Sequence, residues 1–353
     1  MQQDWGDFLK TEGATLAGDH AHFGDPAQEL ARAARGNVLM DLTTLGLVRV
    51  SGADAGTFLS GQLTQDVRDL DPTQHRIGAY CTAQGRMLAI LRVFRRANDY
   101  YALLPRALRD VTIERLRRYV MRAKVQLAPA DDLVAVGIAG PHSVSAIERT
   151  FGQAPAAGAC MTQGDVTALH LPGPTSRFMI VAAPAAMQIA WRAWRALAAP
   201  VGAHIWDWLD IQAGLPTVLP QTVEAFIPQM ANLDLVGGIS LSKGCYPGQE
   251  IVARMHYLGR LKQRMYRARV IATRAPQPGD SIYAPLARGQ SVGTVVVAHP
   301  SVDGGYEMLA VIQIAAIETE ARALHWQSDD GPLLEVLPLP YPVPAPSSAA
   351  DGQ

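Results

Sequence analysis

The chain has 353 residues, 48% of them apolar and 18% charged, and a formal net charge of -1. That length exceeds what one hydrophobic core usually serves, so two or three domains are expected. A near-neutral charge argues against a whole-molecule binder of nucleic acid or anionic membrane, which needs a clear basic excess. Three cysteines, Cys81, Cys160 and Cys245, stand far apart with no CxxC pair. They are too few and too scattered for a disulfide framework or a four-ligand zinc or iron-sulfur site, so no metal site is expected. The opening stretch, MQQDWGDFLKTEGATL, carries acids where a signal peptide carries a basic and then an apolar region. No later stretch reaches the roughly 18 apolar residues of a membrane span, so a cytoplasmic protein with no membrane partner is expected.

In chain order, residues 1–35 are polar and read as an N-terminal arm with one short helix at about 26–35. Residues 45–50 are apolar and β-branched and predict a strand. Ser51 and Gly52 then punctuate, with Ser51 as N-cap of a helix over 53–63. Residues 77–101 predict a hairpin or meander. Leu108, Val111, Leu116 and Val120 recur at helical intervals among arginines, the pattern of an amphipathic helix with a solvated face. LVAVGIAGP and RFMIVAAP read as buried strands and AAMQIAWRAWRALAAP as a helix, giving a small α+β domain over 131–200. Residues 259–340 are short strand-like runs between Gly, Pro and Asp turns, the signature of a small antiparallel barrel or sandwich. The tail 341–353, rich in Pro, Ser and Ala, is expected to be disordered. No fixed-period repeat and no glycine-rich phosphate loop occur.

One segment stands apart, LSKGCYPGQEIVARMHYLGRLKQR at 241–264. A cysteine does chemistry as its thiolate, and Lys243, Arg254 and His256 are cations that could favour that form at Cys245. Gly244 permits a close backbone approach or a positive φ. Tyr246, Pro247 and Gly248 match a turn with Pro second and Gly third. Gln249 and Glu250 suit the first turn of a short helix with Ile251, Val252 and Met255 on its apolar side, leaving Glu250 as a polar anchor or general base. Against this stands the commoner use of an isolated cysteine as a small buried hydrophobe. Between Glu250 and Asp280 there is no acid, whereas Arg254, Arg260, Lys262, Arg264, Arg267, Arg269 and Arg274 all fall there. Such a strip could receive a phosphate, a polycarboxylate tail or RNA, or could simply be a solvated strand face.

GGISLSKGCYPGQEIVARMHYLGR resembles the hallmark of the YgfZ-type folate-binding proteins, relatives of the glycine-cleavage T-protein (aminomethyltransferase). SGADAGTFLSGQLTQDV, LRRYVMRAKVQL and WDWLDIQAGLP extend the resemblance over roughly residues 36–335. It implies an α+β fold in a three-domain ring of the T-protein type. Residues 36–130 plus 201–258 would form a folate-binding α+β domain carrying the cysteine motif, 131–200 a second α+β domain and 259–340 a C-terminal antiparallel β-barrel. It further implies a tetrahydrofolate-type ligand and a role in assembly or repair of iron-sulfur clusters, with client enzymes that include tRNA-modifying ones. Cys245 is then the functional thiol, with Lys243 and Glu250 as its working partners. Trp206 stacks on the pterin, Gln212 hydrogen-bonds it, and Gly244, Tyr246, Gly248, Gln249 and Arg254 of the motif complete the folate-binding set. Ala89 and Ile90 stand where the T-protein carries an acid for aminomethyl transfer, which argues against a classical one-carbon transferase. Two alternatives remain at this stage: a tetrahydrofolate-dependent aminomethyl or one-carbon transferase, and an RNA-binding scaffold working through residues 254–274.

Overall fold

The computed structural model describes residues 2–18, 20–257, 259, 261–320 and 322–344; most of the expected disordered tail and Arg260 of the basic strip lie outside them. The chain divides into two compact units. One comprises Met1–Ser60, Asp66–Ile77 and Leu91–Leu209, the other Gly61–Gln65, Gly78–Ile90 and Asp210–Gln353. The fold is α+β, with antiparallel pairing dominant.

In the first unit the helices are α1 (Gln3–Thr11), α2 (Pro26–Arg35), α3 (Ala55–Ser60), α4 (Arg106–Arg117), α5 (Ser143–Phe151) and α6 (Pro184–Arg195). α7 (His204–Gln212) begins there. α2 occupies the expected positions because Asp25 caps it, accepting from the backbone N–H groups of Ala27 and Gln28, and Pro26 sits where its missing N–H costs nothing. α1 was not foreseen in the polar arm. Trp5, Phe8 and Leu9 fall at i, i+3 and i+4 and are all buried, with Trp5 and Phe8 against Trp191 of α6. α3 is shorter than expected: Ser51 ends the strand Leu45–Ser51 instead of capping, and Phe58 N–H bonds the Asp54 carbonyl. On α4 the buried seam runs through Leu108, Thr112, Ile113 and Leu116, leaving Val111 exposed.

A six-stranded sheet is ordered Cys160–Gln163, Val166–Leu171, Arg177–Ala182, Val134–Ala139, Val38–Asp41, Ala199–Val201, its last pair parallel. Two of its strands are the predicted runs at 131–200. The hairpin of the first two strands was not anticipated. One face packs on α1, α5 and α6 through Trp5, Ile147, Phe178, Trp191 and Trp194; the opposite core includes Met40, Leu103, Met179, Trp206 and Trp208. The hairpin expected at 77–101 is present as successive strands His75–Cys81, Met87–Arg96 and Asp99–Pro105.

In the second unit α8 (Gln249–Tyr257) follows the cysteine motif and α9 (Ile314–Glu320) follows the strand Tyr306–Gln313. Its six-stranded antiparallel sheet is ordered His325–Trp326, Ser281–Tyr283, Ser291–Pro300, Tyr306–Gln313, Gln263–Val270, Leu334–Leu337 and curls as a half-barrel. Alternation on Gln263–Val270 sends Tyr266, Ala268 and Val270 into the core, and Met265, Arg267 and Arg269 to the other face.

Candidate functional site

The segment before the cysteine is stitched to residues some 175 positions earlier. Thr64 Oγ1 donates to the Gly238 carbonyl at 2.6 Å, Gln65 Nε2 to the Gly237 carbonyl at 2.6 Å, and Ser240 N–H to the Thr64 carbonyl at 2.9 Å. Lys243 completes the row. It is 6% exposed, its ammonium donates to the Leu63 carbonyl at 2.6 Å, and it stands 4.3 Å from the centroid of the Tyr246 ring. Lys243 is therefore an anchor of the loop, where it had been expected to hold the Cys245 thiolate.

On the far side of the cysteine the foreseen turn is present: Gln249 N–H bonds the Tyr246 carbonyl at 3.1 Å and Gly248 has φ +81°. Tyr246 is buried, which pushes its phenol well above the usual range. Gly248 is required twice over. Besides its positive φ, a Cβ there would lie 2.6 Å from Gly85 Cα and 2.6 Å from the Thr82 carbonyl oxygen. α8 then starts with Gln249 and Glu250 as expected. Val252 is fully buried, and its carbonyl accepts from Gln229 Nε2 at 2.7 Å. Gly244 behaves otherwise than expected: its φ is not left-handed and a Cβ would meet nothing within 4 Å.

Between these anchors Gly244 and Cys245 are exposed. Cys81 and Cys160 are buried, and burial pushes each thiol up to about 12. The structure thus presents one accessible thiol on a loop pinned on both sides. Glu250, Arg254 and His256 are exposed on α8.

The residues foreseen for a pterin are engaged elsewhere. Trp206 is 3% exposed within the first unit's core, with the Arg177 guanidinium 5.0 Å from its ring centroid. It also presses on Gly137, where a Cβ would come within 2.7 Å of the ring. Trp208 lies in the same core. Gln212 donates to Glu307 Oε2 and accepts from Arg267 Nη2, both at 2.6 Å, so both ends of its amide are used. Ala89 and Ile90 are buried.

The basic strip does not survive as a strip. Arg264 forms a two-point pair with Asp234 at 2.7 and 2.9 Å, Arg267 binds buried Glu307, Arg269 binds Glu335, and Arg274 lies 5.5 Å from the Trp326 centroid. The acids come from residues 234, 307 and 335, outside the window in which the sequence shows none. Arg254 and Lys262 remain exposed, and Arg260 lies outside the described residues. A cavity of about 640 Å³ in the second unit, a volume suited to a small organic ligand, is lined by Met230, Lys262, Gln263, Gln313 and Glu318 among others; Cys245, Gln212 and Trp206 are not part of its wall. Sequence reasoning missed Thr64, Gln65 and the turn at 82–85; the only signal was that LSGQLTQDV is part of the family resemblance.

The fold is that of the glycine-cleavage T-protein. The aminomethyltransferase T of the glycine cleavage system from Bartonella henselae superposes with a TM-score of 0.77 at 16% identity, over 95% of this chain and 96% of that one. Residues 19–181 match the model of the GCVT N-terminal domain. Within that fold the sequence is closer to another group. It is 35% identical over 318 residues to the tRNA-modifying protein YgfZ of Klebsiella pneumoniae (strain 342), covering 90% of this chain and 96% of the relative. To the protein of the same name from Enterobacter sp. (strain 638) it is 32% identical over 317 residues, covering 90% and 97%. The chain belongs to the YgfZ family.

Proposed function

We propose that this protein supports tRNA modification, as its relatives are named for, by assisting iron-sulfur cluster enzymes, and that it acts through the Cys245 thiol. The observation that supports this reading is the exposed thiol between two buried anchors, Lys243 and Tyr246, while the other two cysteines are buried. One thiol cannot complete a four-thiolate cluster site, so Cys245 acts transiently, sharing ligands with a client, or as a redox thiol. Glu250 and Arg254, exposed just after it, are the groups a client would meet next.

Folate is the ligand class that the family suggests. Trp206 and Gln212 do not fit that part here, since one is enclosed in a core and the other is bonded at both ends of its amide. No role for Cys245 is therefore routed through a folate. The RNA-scaffold reading loses its main support, because Arg264, Arg267 and Arg269 are paired internally.

The test is complementation. Cells lacking the protein are assayed for a cluster-dependent tRNA modification and resupplied with the wild type or with Cys245→Ala. Loss of rescue by a Cys245→Ala protein that keeps its unfolding midpoint supports the reading, and full rescue overturns it. Equilibrium dialysis against tetrahydrofolate tests the ligand separately, with no retention as the negative result. Folate-dependent release of a one-carbon unit from an amine substrate would instead establish the transferase alternative.

A further inference from the structure

Far along the chain from Cys245, in the first unit, His22, Glu29 and His204 come together. Among the described residues theirs is the one group of three side chains whose potential ligand atoms all lie within 4.8 Å of one another. They come from three separate segments. His22 ends the short strand His20–His22 and is half-buried, Glu29 is in the first turn of α2 and fully buried, and His204 opens α7. We propose that these three residues form a binding site for a divalent transition-metal ion of the zinc class, held by two imidazoles and one carboxylate with a fourth position left for water.

Three features carry the assignment. The first is how the carboxylate is held: Glu29 Oε1 accepts from Phe23 N–H at 2.6 Å and Oε2 from Gly202 N–H at 2.9 Å. Both oxygens are thus fixed by backbone, as outer hydrogen bonds fix metal-binding carboxylates, and each retains lone-pair capacity.

The second feature is distance. His204 Nε2 lies 3.4 Å from Glu29 Oε2, longer than a strong charge-assisted hydrogen bond. It matches the separation of roughly 3.4 Å between two ligands bound at about 2.0–2.2 Å in tetrahedral geometry. The His22 and His204 rings are 6.0 Å apart at their centroids, room for an ion between their edges. The third is Gly202. A Cβ there would stand 2.6 Å from His204 Nδ1 and 3.0 Å from Glu29 Oε2, so the glycine keeps the space beside the carboxylate open. The donor set selects the ion class: imidazole nitrogen suits zinc, cobalt and nickel, while calcium and magnesium prefer oxygen alone. A bound ion would tie the paired strands Thr15–Ala17 and His20–His22, α2 and the start of α7 to one point, and would supply a fully buried carboxylate with a full positive charge.

The experiment uses the full-length protein, stripped with a chelator and titrated with Zn²⁺ by calorimetry and with Co²⁺ by absorption. One Zn²⁺ per chain, together with cobalt visible bands of the intensity typical of tetrahedral sites and no thiolate charge-transfer band, is the expected result. His22→Gln, at a half-buried position outside the Glu29 hydrogen bonds, should weaken Zn²⁺ at least tenfold with the metal-free unfolding midpoint unchanged, and Glu29→Gln should abolish binding. Failure to bind Zn²⁺, unaltered affinity in His22→Gln, or a thiolate band pointing to Cys245 would each overturn the proposal.

Discussion

Two glycines of the cysteine motif, four residues apart, should respond oppositely to the same substitution. At Gly248 the backbone has φ +81°, and an added Cβ meets main-chain atoms of Gly85 and Thr82 at 2.6 Å. The left-handed conformation costs a non-glycine residue about 1–2 kcal/mol. Relieving an overlap with backbone, which cannot swing aside as a side chain can, adds about 1–3 kcal/mol. Gly248→Ala should therefore destabilise the protein by about 2–5 kcal/mol, with the damage centred on the turn that presents Cys245. Gly244→Ala adds its methyl to open space without a left-handed φ and should stay within about 0.5 kcal/mol of wild type. Urea denaturation of both variants gives the stabilities, and the rate at which Cys245 reacts with a disulfide reagent reports the loop. Equal stabilities for the two variants would refute the account of how the loop is pinned.

Thiol titration of the native protein should count one fast group, Cys245, with Cys81 and Cys160 reacting only on unfolding, because burial pushes both up to about 12 and the thiolate is the reacting form. Acid should weaken the first unit through His75: one ring nitrogen is 3.2 Å from the His170 carbonyl and the other 3.1 Å from Arg92 Nη1, so burial and the guanidinium hold it down to about 3. Its folded value lies below the unfolded one, so the stability is full above about pH 6.5 and is lost as pH falls toward 3, about 2 kcal/mol of it by pH 5. His75→Gln should flatten that part of the profile of urea midpoint against pH. Glu307→Leu, which strips Arg267, Gln212 and Ser301 of a buried acceptor, should cost about 3–5 kcal/mol. Arg267→Met with Glu307→Leu should cost less than the sum of the single changes in a double-mutant cycle.

Local physics made much of the fold legible. Asp25 and Pro26 announce α2, the turn at Tyr246, Pro247 and Gly248 reads from its residue types, and the buried strands at 134–139 and 177–182 read from continuous apolar runs. The helix over 3–11 is hard to read from sequence because its three apolar residues are diluted among acids, although their spacing is helical. For the site, the motif residues were legible and their division of labour was not. Lys243 and Gly248 turn out to be anchors, Gly244 lies open, and Trp206 and Gln212 are committed to a core and an ion-pair network.

What the sequence by itself determined is the family, the α+β class and the motif around the one exposed cysteine, because turn chemistry, periodicity and a dense motif act over a few residues and need no partner to be read. What only the tertiary structure decided is which charges are spent. Arg264, Arg267 and Arg269 look like an open cationic strip until Asp234, Glu307 and Glu335 are folded against them, and His22, Glu29 and His204 look unrelated until α2 and α7 bring them within reach. Coulomb and hydrogen-bond energies depend on separation in space, and separation along the chain says nothing about that.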